Sequence, residues 1–120
     1  MNYASGLGML PRDLARVGQM LLDGGKAGER QVVPAAWLDA SLKPAVRIND
    51  RRQYGYHWYL SNVTSEARRR TRWIAAMGNG GQRLFAFPEL ELVVVVTAGS
   101  YNQRSNVDDL VGDVVLASLR

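Results

Sequence analysis

The sequence predicts an α+β domain. Apolar residues at helical spacing lie before Pro44 and after Asn106, strand spacing fills the stretch between, and glycine and proline punctuate the boundaries. At 120 residues, 47% hydrophobic and 22% charged, the composition fits one ordinary folded domain over 1–120.

Leu10-Pro11-Arg12-Asp13 opens the first helix. Proline suits the first helical position, where its missing N–H would be unsatisfied anyway, and Asp13 meets the positive end of the helix dipole. Leu14, Val17 and Leu21 recur on one face with Leu22 beside them, and Asp23-Gly24-Gly25 ends the run, since glycine accepts the left-handed conformation. A second, shorter helix starts at Pro34, turns Trp37, Leu38 and Leu42 inward, and stops before Pro44.

From Tyr54 the period changes. Tyr54, Tyr56, Trp58 and Leu60 alternate as in a half-buried strand. Ser61 to Thr71 is polar and basic without periodicity and reads as a loop within the domain. Trp73 to Met77 and Gln82 to Phe87 are two strands interrupted by Gly78-Asn79-Gly80-Gly81, and Pro88-Glu89-Leu90 connects tightly to the run Glu91 to Ala98. Its four consecutive valines call for cover on both faces. Asn106 can cap a final helix, with Asp108 and Asp109 in its first turn and Leu110, Val111, Val114, Val115 and Leu119 on its inner stripe.

Composition removes several classes of function. There is no cysteine, which excludes disulfides, thiolate metal sites and a cysteine nucleophile and leaves the compartment undecided. Leu92 to Ala98 is the longest apolar run, far short of the roughly 18 residues of a membrane span, and no signal peptide is expected at the amino end. The net charge of +4 concentrates in Arg47, Arg51 and Arg52 and in Arg68, Arg69, Arg70 and Arg72. Basic clusters can grip phosphates, but both lie where charge usually solvates a loop, so no nucleic-acid partner is expected. A single histidine, His57, without clustered carboxylates gives no metal site, and its neighbours offer no triad spacing. Asn62-Val63-Thr64 fits the glycosylation pattern, which matches often by chance. Tyr54, Tyr56, Trp58 and Tyr59 could line a cleft, although aromatic residues on strands more often pack the sheet.

The glycines between two strands need a reason, because each costs the sheet entropy and packing. Close approach of a ligand to the backbone is one; a bulge or tight bend is the other.

Gly6-Leu7, Pro11 to Gln19, Asp23-Gly24-Gly25, Tyr54 to Trp58, Gly78 to Gln82, Phe87 to Gly99 and Tyr101-Asn102, in this order and spacing, resemble the carboxyl-terminal part of serine β-lactamase-like hydrolases. That superfamily comprises class C β-lactamases, penicillin-binding proteins and esterases, and the resemblance covers nearly the whole chain. It implies an antiparallel sheet of about three to five strands, two amino-terminal helices and a carboxyl-terminal helix covering one face. In such hydrolases a serine attacks the carbonyl, the lysine of S-x-x-K helps to deprotonate it, a second motif relays protons, and a K-T-G or H-x-G segment closes the site.

By that resemblance Asn79, Gly80 and Gly81 take the third-motif positions and contact substrate. Asn79 stands where Lys or His is usual, a departure that esterase-like members also have; Asn can hydrogen-bond a substrate but supplies no positive charge. The Gln82 N–H would be the oxyanion-hole donor, and the missing β-carbons of Gly80 and Gly81 would admit an acyl group. The other motifs are absent. The only lysines are Lys26 and Lys43, neither three places after a serine, and no tyrosine has asparagine two places on. Ser65-Glu66-Ala67-Arg68 is no substitute, because arginine stays charged and cannot act as a base.

The chain is thus expected to carry no catalytic nucleophile. It would be the carboxyl-terminal portion of a cofactor-free hydrolase of small-molecule esters or amides, in a bacterial cytoplasm or periplasm, inactive alone. The alternative is a non-catalytic interaction module, a split-enzyme half that docks on an amino-terminal half, or a homo-oligomer, motivated by the valine strand's missing neighbours.

Overall fold

The computed structural model describes residues 6–65, 68–103 and 106–119, apart from the side chains of 62–70. The Asn62–Thr64 motif, Ser65–Arg68 and the side chains of Arg68, Arg69 and Arg70 therefore lie wholly or partly outside the described residues. The fold is α+β, with three helices and antiparallel sheets. Helix α1 spans Pro11–Leu22 and α2 spans Ala35–Ser41, separated by a two-stranded hairpin of β1 (Lys26–Ala27) and β2 (Arg30–Gln31). The main sheet runs β3 (Val46–Arg47), β4 (Arg52–Tyr54), β5 (Tyr59–Ser65), β6 (Arg68–Met77), β7 (Arg83–Phe87) and β8 (Leu92–Val96). These six strands lie in sequence order, each antiparallel to the next. The chain closes with α3 (Val107–Leu110), which continues as a π-helical stretch over Val111–Leu116.

Strand parity decides which layer each side chain joins. Gln53, Leu60 and Ile74 stand opposite one another across β4, β5 and β6, and Ile74 opposes Ala86 and then Val93. This face meets the first two helices: Leu60, Ile74 and Ala86 are buried in one cluster with Leu21 of α1 and Leu38 of α2. The opposite face carries Trp73, Ala75, Phe85 and Phe87, which bury Val111 and Leu116 of the carboxyl-terminal helix. Burying Phe87 and Leu84, the two largest fully buried side chains, contributes about 1.5–3 kcal/mol each. The valine strand is covered on one face by α1, which meets Val93, while Val94 and Val96 pack at the margin of the Trp73–Phe85–Phe87 cluster; all five of its residues stay half-buried, short of the full two-sided cover the valines led one to expect.

α1 sits unusually close to the sheet at Gly18. A β-carbon there would fall 2.6 Å from Val93 Cγ1 and 2.8 Å from Leu84 Cδ1, so the helix face touches β7 and β8 through hydrogen.

Several local expectations change. The alternation Tyr54 to Leu60 is two strands joined by a turn: Gly55 N–H donates to Trp58 O at 2.9 Å, and His57 at φ 66° turns the chain. Alternation continues across so short a turn, which disguises it. Ser61 to Thr71 is largely the paired strands β5 and β6, because ladder hydrogen bonds are made by backbone whatever the side chains. Among the described residues the main sheet has six strands, more than the three to five expected. Trp37 is 57% exposed and lies against Tyr56, ring centroids 5.7 Å apart. Asn106 stands at the N-cap of α3 without a capping side-chain hydrogen bond. Leu110 and Val114 are exposed, while Val107, Val111 and Leu116 are buried. The π-helical stretch widens the last spacing to five residues, which rotates the inner stripe away from a regular 3.6-residue period.

Candidate functional site

The residues of interest sit where β6 ends and β7 begins. Gly78 N–H donates to Gln82 O at 2.9 Å and Gly81 N–H to Gly78 O at 3.2 Å, closing a tight turn with Gly81 at φ 89°. That φ is one that side chains with a β-carbon rarely adopt. Asn79, Gly80, Gly81 and Gln82 are thus brought together in one turn, with Asn79 exposed and Gly80 and Gly81 buried.

Gln82 ties this turn to the segment after β8. Its Oε1 accepts from Gly80 N–H at 3.0 Å, and its Nε2 donates to Ala98 O at 2.8 Å and to the Tyr101 hydroxyl at 3.1 Å. Ser100 N–H donates to Gly80 O at 2.9 Å, so the two loops are also joined through backbone. A β-carbon on Gly80 would lie 2.6 Å from Gln82 Nε2 and 2.8 Å from Tyr101 Cε1. The space beside Gly80 is therefore filled by this chain's own amide and ring, which is a sufficient reason for glycine there.

Asn79 Nδ2 donates to Asn102 Oδ1 at 2.9 Å, and Asn102, at φ 58°, returns a long N–H contact of 3.4 Å to Asn79 Oδ1. A further hydrogen bond from Asn79 to a bound molecule would use its second amide hydrogen. The Gln82 main-chain N–H has no acceptor among the described residues: Gly78 O is taken by Gly81 N–H and by Arg83. A fixed, unoccupied amide is the type of donor that stabilises a developing oxyanion.

Arg83 holds the turn from behind. It opens β7 on the face opposite the first two helices, and its side chain is only 12% exposed. Its Nη1 donates to Gly78 O at 2.9 Å and Gln82 O at 3.0 Å, and its Nε donates to Asp108 Oδ1 at 2.9 Å. Asp108 Oδ2 accepts from Arg52 Nη2 at 2.7 Å, so one carboxylate at the start of α3 joins β4, β7 and the turn. Sequence inspection missed this arrangement. The available signal was an arginine directly after the glycine turn, whose alternation aimed it away from Gln82.

The remaining candidates stand apart. His57 is exposed on the β4–β5 turn. Arg47 is ion-paired with Asp50 and Arg52 with Asp108, which leaves Arg51 as the member of that basic cluster without an ion pair among the described residues. Tyr54 and Tyr59 pack edge to face at 4.9 Å. Among the described residues no group of three or more His, Asp or Glu could hold a metal ion, and no helix is long and apolar enough to cross a membrane.

None of the curated proteins matches the chain. The model of the β-lactamase family, however, matches residues 2–116 and so takes in both helical layers, the six-stranded sheet and the glycine turn. On that match the chain belongs to the β-lactamase family.

Proposed function

We propose that this chain is the carboxyl-terminal portion of a serine hydrolase acting on small-molecule esters or amides through an acyl-serine intermediate. It supplies the third-motif turn and the oxyanion-hole wall and is inactive alone. The Gln82 N–H, which has no acceptor among the described residues and sits in a turn held by Arg83 and by the Gln82 side chain, carries this reading, because an amide fixed before the reaction stabilises charge without reorganising. Asn79, at the exposed corner of the same turn, orients substrate through its second amide hydrogen, and the backbone of Gly80 and Gly81 shapes the turn that carries both groups. The nucleophile and its base come from elsewhere, since no serine of the chain has lysine three places later.

The test starts with the 120-residue chain and an activated ester such as p-nitrophenyl acetate. No acylation burst is expected from it. Adding a polypeptide that carries S-x-x-K and then Y-x-N or Y-x-S, encoded upstream in the same frame, should produce turnover. Gln82→Pro, which removes the N–H, should then lower kcat by about 10²–10³-fold. A burst from the chain alone, or turnover indifferent to Gln82→Pro in a folded complex, would contradict the reading.

A second reading is an interaction module without catalytic duty. It is favoured by β8, which pairs only with β7 among the described residues and presents its other edge unpaired. Tight binding of an upstream half that yields no hydrolysis would favour this reading.

A further inference from the structure

A pocket lies away from the glycine turn, on the face of the sheet that carries α1 and α2. It forms where α2 stops. The helix ends at Ser41, and Leu42, Lys43 and Pro44, which lead into β3, form one side of the pocket, with residues of β4, β5 and β6 on the other. Gln53 and Leu60 stand opposite each other on this face, and Arg72 shares it because it lies two residues before Ile74 on β6. These residues line a pocket of about 320 Å³, the lower end of the range that small-molecule sites occupy.

The lining has two characters. Leu42, Pro44 and Leu60 are apolar, and Leu42 and Leu60 belong to the cluster beneath the first two helices. Lys43 and Arg72 are cationic, and neither is ion-paired among the described residues. Glu89 accepts from the main-chain N–H of Arg72 at 2.9 Å but makes no ion pair with its guanidinium. Two cations thus line one small pocket, and an anion bound there would meet both charges. The guanidinium fork suits a carboxylate, the ammonium adds a second charge, and the apolar wall accepts a short hydrocarbon tail.

We infer that this pocket is a binding site for small aliphatic carboxylates, with Arg72 and Lys43 holding the carboxylate and Leu42, Pro44 and Leu60 covering the tail. The inference does not depend on the hydrolase reading, because none of these residues belongs to the glycine turn.

The experiment is a titration of the 120-residue chain with sodium butyrate at low salt, followed by ¹H–¹⁵N chemical shifts. 1-Butanol and inorganic phosphate are the controls for tail and charge. Saturable shifts at Gln53, Leu60 and Arg72 are expected, with a dissociation constant of about 1–10 mM, the range open to so small a ligand. Arg72→Gln should weaken binding about tenfold, and Lys43→Gln several-fold, each with an unchanged far-UV spectrum, since both residues are exposed. Four outcomes would overturn the inference. They are no saturation by about 100 mM butyrate, equal shifts with 1-butanol, phosphate binding as well as butyrate, or full binding by the folded Arg72→Gln/Lys43→Gln double variant.

Discussion

Replacing Arg83 by methionine tests the internal support of the glycine turn. Methionine keeps most of the stem and removes three hydrogen bonds, to Asp108 Oδ1, Gly78 O and Gln82 O. Both backbone acceptors retain another partner, Gly78 O keeping Gly81 N–H and Gln82 O keeping Gly78 N–H, while Asp108 keeps Arg52 on its Oδ2 and, at 29% exposure, can hydrate its Oδ1. With neither carbonyl orphaned and the carboxylate open to water, each lost bond costs its net value of about 1 kcal/mol rather than a full desolvation penalty, a total of about 2–3 kcal/mol. Arg52→Met is the internal control. It removes one bond to the same carboxylate from a side chain 39% exposed, so the cost is about 0.5–1 kcal/mol. Urea unfolding followed by circular dichroism should separate the two by about 2 kcal/mol, or roughly 8 °C in Tm. The Gly81 amide, which donates to Gly78 O, should also exchange faster in Arg83→Met than in Arg52→Met. If Arg83→Met is no less stable than Arg52→Met, the turn is not held by Arg83 and its preorganisation has another cause.

Three further substitutions follow from close approaches and backbone angles. Gly18→Ala should lower stability by about 1 kcal/mol although alanine favours helix, because its β-carbon meets Val93 and Leu84; pairing it with Val93→Ala should recover most of the loss in a thermal melt. Gly80→Ala should displace the Gln82 amide from Ala98 O and Tyr101, cost about 1–3 kcal/mol, and speed hydrogen exchange at Ser100, whose N–H donates to Gly80 O. His57→Gly should raise stability by about 0.5 kcal/mol, since relief of the left-handed conformation slightly outweighs the added entropy of the unfolded chain; a lowered urea midpoint would contradict that.

The candidate turn was partly legible in the sequence. Its glycines announce a constrained backbone, and Gln82 and Asn79 follow from the resemblance. Two parts were not legible. Gln82 spends its side chain on Ala98 and Tyr101, and Arg83 meets Asp108 across 25 residues; both depend on which loops the folded sheet brings side by side. The β5–β6 hairpin stayed hidden for a different reason. Its polar, arginine-rich residues carry no alternation, whereas the ladder that makes it a hairpin is formed by backbone.

The sequence by itself determined the order of helices, sheet region and final helix, but not every strand between them. Pro11 and Pro34 start helices, Gly24-Gly25 ends the first and Pro44 follows the second, and valine and aromatic runs make strands, because these effects act over a few neighbouring residues. Tertiary structure alone decided the layering: Leu60, Ile74 and Ala86 turn to the first two helices, and Trp73, Phe85 and Phe87 to the last. It also decided the π-helical rotation that buries Leu116 and exposes Val114, and the charge bridge from Asp108 to two strands. A two-residue period says that a strand has two faces but not which layer covers each. That is fixed only when every strand's register is set against its neighbours.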